Sequence, residues 1–271
     1  MKQIGVSSGL TTQTVLDIEK QFDTQPFRGT LGISGYSRFS SGINGMVQEK
    51  LNMSIIYLTL NNWEKRIGLC NGVIFPGGTD IDRDIYKNKG MEFLLPRRLK
   101  DKIRGKKELD IYVPDLDRDK LEMNLIPYCI EKDIPMFGIC RGLQIIGATL
   151  GMKFIPELNP FHGKGCVHET HFFTKERNKI ACQTNSFHHQ GILHDSDFIP
   201  DGVKVIATAP VSPTARLVKD INIVEAMYGK RWIAVQWHPE SDSNPVGISA
   251  FFIRVFNNLI DSNCDVESFL F

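Results

Sequence analysis

No two cysteines of this chain stand as a C-x-x-C pair; Cys70, Cys129, Cys140, Cys166, Cys182 and Cys264 are scattered along its 271 residues. That scatter excludes a paired-thiol redox motif and lacks the density of a disulfide scaffold, so reduced thiols are expected. No apolar run approaches the length of a membrane span, and the N-terminal MKQIGVSSGLTTQ lacks the apolar core of a secretion signal. A cytoplasmic protein with no membrane partner is expected on those grounds. Charge of one sign is also not in excess, since 32 Lys and Arg against 31 Asp and Glu leave a formal net charge of +1. A general nucleic-acid binder carries a clear basic surplus, so no nucleic-acid partner is expected. Internal repeats, low-complexity linkers and shifts of composition are absent as well. With 42% hydrophobic residues, the chain has core enough for one domain over residues 1–271.

What is present begins with one local exception to the charge balance. Residues 87–114 hold nine Lys or Arg (87, 89, 97, 98, 100, 102, 104, 106 and 107) against Glu92, Asp101, Glu108 and Asp110. This basic insertion reads as a solvated loop or as a flap that attracts an acidic ligand.

Short apolar runs ending in glycine or turn residues alternate with helical patterns, which predicts an α/β fold with a mostly parallel sheet. The strand candidates are QIGV near the start, MSIIYLTL at 53–60, GVIFPGG at 72–78 and IPMFGIC at 134–140. The clearest helix runs from about Asp117 to Lys132, with Leu121, Leu125, Tyr128 and Cys129 on one face, charges opposite them, and Pro127 as a potential kink. In the C-terminal half, VKVIATA, NIVEAMY and RWIAVQW follow one another closely, and YGKRW at 228–232 looks like a hairpin turn. Antiparallel strands joined to the sheet edge are expected there, followed by an amphipathic helix in GISAFFIRVFNNLI.

Three strand ends carry chemistry. Cys140 lies between Gly138 and Gly142 where the strand pattern of IPMFGIC gives way to a helix. Such a tight turn presents a nucleophile, and the helix amides, above all that of Arg141, favour a thiolate and an oxyanion. A cysteine so placed is, taken alone, more often a buried small hydrophobe. In AVQWHPES, His238 and Glu240 are two residues apart, so that on an extended strand the carboxylate orients the imidazole; an ordinary strand-end turn is the alternative. In FPGGTD, the glycines allow an amide of Gly77 or Gly78 to point into a cleft, although many Gly-Gly pairs mark plain turns. Open parallel sheets bind ligands at the carboxyl ends of their strands.

GICRGLQ, the strand-end PGG and the late QWHPE together resemble the class I glutamine amidotransferase-like superfamily. The arginine after the cysteine and the NSFHHQG stretch at 185–191 resemble its branch of γ-glutamyl cysteine hydrolases, typified by γ-glutamyl-γ-aminobutyrate hydrolase. The resemblance spans roughly Gly72 to Glu240. It implies a flavodoxin-like fold and a triad of Cys140, His238 and Glu240. It further implies an oxyanion hole from Gly77, Gly78 and Arg141, and a substrate pocket near Gln144, Ser186, His188 and His189. The reaction implied is cleavage of the amide of a small γ-glutamyl compound through a glutamyl thioester. An alternative is a glutaminase subunit that delivers ammonia from glutamine to a partner synthetase, and a homodimer stays open under either. The Arg141 guanidinium belongs either to the site or to a structural ion pair with Glu157, Asp80 or Asp82. Acyl transfer needs no cofactor, and Lys164, Cys166, His168 and His171 in GKGCVHETH are irregularly spaced for zinc, so no metal is expected. The sequence departs from the resemblance at TDIDRDIY, with Arg83 near the family's usual proline, and in the length of the basic insertion. Both leave the departing amine undetermined.

Overall fold

A computed structural model of the chain describes residues 27–35, 40–86, 114–156, 158, 162, 165–173, 179–211, 221–241 and 247–270. Its strands are β1 (Thr30–Ser34), β2 (Ser54–Leu58), β3 (Gly72–Phe75), β4 (Met136–Ile139), β5 (Phe154–Ile155), β6 (Cys166–Phe173), β7 (Lys179–Ser186), β8 (Gly191–Ile192), β9 (Lys204–Pro210), β10 (Asn222–Gly229) and β11 (Trp232–Val235). The three long helices are α1 (Leu116–Glu131), α2 (Arg141–Thr149) and α3 (Ile248–Asp261).

Nine strands form one sheet in the order β2-β1-β3-β4-β11-β10-β9-β6-β7. The first five are mutually parallel, which is the strand order of a flavodoxin-like sheet. The last four add antiparallel pairings. The expected α/β fold is therefore observed, with one change at the hairpin. β11 does not join the sheet edge; it lies parallel beside β4, and antiparallel pairing begins only at β10. The register Gly229↔Trp232 leaves Lys230 and Arg231 as a two-residue turn. β11 thereby carries its C-terminal end to the same edge as those of β3 and β4.

Period-two alternation divides the parallel strands between two apolar cores. Ile74, Phe137 and Ile139 face one way, packing with Phe252, Phe256 and Leu259 of α3. Val73, Phe75 and Met136 face the other way, with Leu121 and Leu125 of α1 and Leu143 and Ile146 of α2. α1 starts on Asp115, whose carboxylate accepts the Arg118 amide at 3.1 Å, and Pro127 stays within it. α2 is buried from Arg141 to Ala148, so it approaches β3 with no room for side chains on the near face. A Cβ at Gly142 would run into the Phe75 carbonyl, and only glycine allows this crossing.

The six cysteines are free thiols. Among the described residues no helix is long and apolar enough to cross a membrane. The strand expected in QIGV and the basic insertion, apart from Pro114, lie outside the described residues.

Candidate active site

The carboxyl ends of β3, β4 and β11 bring together the three segments singled out above. Cys140 follows β4 directly and caps α2 with φ 53° and ψ −104°. A positive φ is costly for a residue with a Cβ, on the order of 1–3 kcal/mol, and persists only where its surroundings enforce it. Here the Cys140 amide donates to the Val235 carbonyl at 2.8 Å while its own carbonyl accepts from Gln144 at 3.2 Å. The residue is pinned by strand on one side and helix on the other. Cys140 is only 5% exposed.

His238 is fully buried. Its Nδ1 donates to Glu240 Oε1 at 2.7 Å, and the neighbouring Cys140 favours its charged form. Burial opposes charge on this ring, but attraction to the Cys140 sulfur, the hydrogen bonds of Cys140 and Glu240, and the Glu240 charge outweigh it. They push the His238 pKa up to about 10. The contact arises differently from the sequence expectation. β11 ends at Val235, and Glu240 returns to His238 through a 3-10 turn, Pro239–Ser241. Pro239 has no amide to extend the ladder, and the chain turns there instead.

The PGG turn is held by a buried charge network. Arg118 forks onto two carbonyls, that of Gly77 at 3.0 Å and that of Pro76. Its Nε donates to Glu122 Oε1 at 2.8 Å, which also accepts from Ser34 at 2.7 Å. The Arg141 guanidinium donates to Glu122 and Asp119, and Asp119 accepts the Asp82 amide at 2.9 Å. The Arg141 side chain thus forms a structural ion pair, but with two residues of α1 in place of Asp80 or Asp82; Glu157 lies outside the described residues. The reason is that α1 turns inward Arg118, Asp119 and Glu122, which were expected among its solvent-facing charges. Burial pushes the Asp119 carboxyl up to about 6 against the pull of Arg141.

The remaining expected pocket residues divide by exposure. The Gln144 amide nitrogen donates to the Gln190 carbonyl at 2.8 Å and to Gln236 at 3.2 Å. Ser186 Oγ donates to the His162 carbonyl at 2.8 Å, and His188 is buried with Nδ1 on the Gln190 carbonyl at 2.9 Å. These three brace the loop after β7. His189 is one-third exposed and meets Asp80, just beyond the PGG turn, at 2.9 Å. Sequence reasoning missed Asn185, whose amide receives the His238 N–H at 2.8 Å and donates to the His238 carbonyl at 3.0 Å. It also missed Arg118, Asp119 and Glu122. The R-x-x-x-E spacing of Arg118 and Glu122 is visible in the sequence, but such pairs usually lie on a solvated helix face.

Fold and site together define an α/β protein with a cysteine–histidine–glutamate arrangement at the carboxyl edge of a parallel sheet. Residues 115–258 match the model of the family Glutamine amidotransferase class-I, and the chain belongs to that family. It is 27% identical over 197 residues to Protein NtpR of Enterococcus hirae, covering 68% of this chain and 74% of that protein. It is 37% identical over 105 residues to the gamma-glutamyl-CDP-amidate hydrolase of Campylobacter jejuni, covering 38% of this chain and 46% of that protein. A crystal structure from Thermoplasma acidophilum, described as that of a GMP synthase component, superposes with a TM-score of 0.56 at 15% identity. It covers 88% of this chain and 97% of that one, which supports the fold.

Proposed function

We propose that this chain is a cysteine-dependent hydrolase that cleaves the γ-glutamyl amide bond of a small γ-glutamyl compound. The observation that carries the reading is His238 held between Cys140 and Glu240, with Cys140 forced into a left-handed turn at the start of a helix. A buried imidazolium flanked by a thiolate and a carboxylate is a nucleophile and its proton donor in one unit.

In this reading the Cys140 sulfur attacks the γ-carbonyl carbon and forms the carbon–sulfur bond. The carbonyl oxygen becomes an oxyanion, met by the amides of Gly77 or Gly78 and of Arg141. Arg118 is then a positioning residue. A trans peptide directs its N–H opposite to its C=O, so a fork that fixes the carbonyls of Pro76 and Gly77 also fixes the N–H directions of Gly77 and Gly78. As the carbon–nitrogen bond breaks, His238 gives its proton to the departing amine. It next takes one from the water that attacks the thioester, glutamate leaves, and the resting thiolate–imidazolium pair returns. His189 beside Asp80 lies at the exposed side of this edge and suits the polar end of a substrate.

The departing amine is proposed to carry an acidic group such as a phosphate. The surplus of about five positive charges in residues 87–114 complements such a group, and a relative of this chain is named for hydrolysis of a CDP amidate. The reading is tested by glutamate release from γ-glutamyl amines with and without phosphate, folate polyglutamates and glutamine, at low salt. Preference for a phosphorylated amide supports it. Turnover of glutamine alone supports a glutaminase that delivers ammonia to a synthetase.

The His238 shift predicts a pH profile. The imidazolium is the proton donor, so kcat/KM should hold through neutral pH and fall on the alkaline side with an apparent pKa near 10. Glu240→Gln removes an anion that favours the charged ring, so the alkaline limb should move to lower pH. An unmoved limb in that variant contradicts the assignment of Glu240.

A further inference from the structure

Outside the triad, a second cluster of titratable groups lies between β6, β10 and the loop after β7. Glu225 of β10 is fully buried, and neither of its carboxylate oxygens has a hydrogen-bond partner. A carboxyl group buried without hydrogen bonds is costly. Three imidazoles surround it. Donor atoms of His162, His168 and Glu225 all lie within 4.8 Å of one another. His168 Nε2 is 3.1 Å and His188 Nε2 3.9 Å from Glu225 Oε1.

The tautomers are set from outside the cluster. His188 Nδ1 meets the Gln190 carbonyl at 2.9 Å, and His162 Nε2 meets the Pro210 carbonyl at 3.1 Å. A carbonyl only accepts, so those nitrogens carry the protons. The opposite nitrogens, His188 Nε2 and His162 Nδ1, are left as lone pairs, and both are buried without a partner. The 3.1 Å approach of His168 to Glu225 is an ion-pair contact not aligned as a hydrogen bond, and neither His168 nitrogen makes a hydrogen bond. Histidine nitrogens without hydrogen bonds therefore crowd a buried carboxylate that has none of its own. Histidines whose second nitrogen donates to a backbone carbonyl are the usual pattern of metal ligands.

We propose that His162, His168, His188 and Glu225 form a binding site for one divalent transition-metal ion of the zinc class. Three nitrogens and one carboxylate oxygen suit tetrahedral zinc, whose bond lengths imply donor separations of roughly 3.3 Å, so the set must draw together around the ion. The site differs from the irregular set in GKGCVHETH. His168 alone is shared with it, while His171 pairs with Glu169 at 2.6 Å, and the other ligands come from distant segments. A bound ion ties β6 and β10 to the loop that follows Asn185, which grips the His238 backbone. It thus supports the geometry of the triad without taking part in the chemistry.

The test is independent of the hydrolase reading. The full chain, freed of metal by a chelator, is titrated with Zn²⁺ against a chromophoric competitor, and in parallel with Co²⁺. The proposal expects one equivalent bound and a raised unfolding temperature. It also expects a tetrahedral cobalt spectrum that lacks a thiolate charge-transfer band. Binding should persist in Cys140→Ala and His171→Ala, and should weaken by about 100-fold or more in His168→Ala and in Glu225→Gln, with circular dichroism showing that both remain folded. Absence of stoichiometric binding to the wild type overturns the proposal and leaves a His168–Glu225 ion pair. Equal binding in folded Glu225→Gln, or a cobalt–thiolate band lost with Cys140, overturns it as well by placing the ion elsewhere.

Discussion

Cys140→Ala is expected to lower hydrolysis of the γ-glutamyl substrate by on the order of 10⁴-fold or more while the protein stays folded, as removal of a covalent nucleophile does in acyl-transfer enzymes. Cys140→Ser should fall nearly as far. A serine hydroxyl is a far weaker nucleophile than a cysteine sulfur in the same position. The backbone supplies a companion result. With φ 53° at Cys140, Cys140→Gly removes the Cβ that makes this conformation costly. That variant should lose all turnover yet unfold at a temperature no lower than the wild type. A wild-type rate in Cys140→Ala, read as glutamate release from the best substrate, contradicts the assigned role. A sharply lowered unfolding temperature in Cys140→Gly contradicts the strain argument.

The largest expected effect on stability lies in the network behind the PGG turn. Glu122 is fully buried and accepts from Arg118, Arg141 and Ser34. Glu122→Ala leaves two buried guanidinium groups facing the single carboxylate of Asp119. An uncompensated buried charge costs about 3–5 kcal/mol, and the shift should appear as a lower urea midpoint with an unchanged slope. Glu122→Gln keeps the shape and one acceptor, so its loss should be smaller. The two substitutions also probe the oxyanion hole. With Glu122 gone, Arg118 loses the partner that aims its fork at the Pro76 and Gly77 carbonyls. In the folded variant kcat should then fall more than KM rises, because the oxyanion forms only in the transition state. A purely structural network would lower stability and leave kcat of the folded fraction intact.

How far these features were legible in the sequence depended on whether each residue's local pattern matched its environment. α1 was read from its apolar period and observed over Leu116–Glu131. β2, β3 and β4 were read from continuous apolar runs, as expected for strands covered on both faces. β1, with the sequence TLGIS, was missed because glycine and serine interrupt so short a run. β6 and β7 were missed because they are largely polar and half-exposed, with His, Glu, Thr and Asn on a sheet extension that has little core to cover. The Cys140, His238 and Glu240 segments were found because each ends a strand beside glycine or proline. Arg118, Asp119, Glu122 and Glu225 were invisible for the opposite reason. Their charges suggest solvent, and only the tertiary fold turns them inward.

The measurement that tests the central claim most directly is the site of alkylation by a glutamine-analogue diazoketone, located by intact mass and peptide mapping. Exposure alone favours Cys264, the one exposed thiol, over Cys140, which is buried. The account predicts a single glutamyl-ketone adduct on Cys140, abolished in His238→Ala. An adduct on Cys70, Cys129, Cys166, Cys182 or Cys264 with Cys140 unmodified would contradict it.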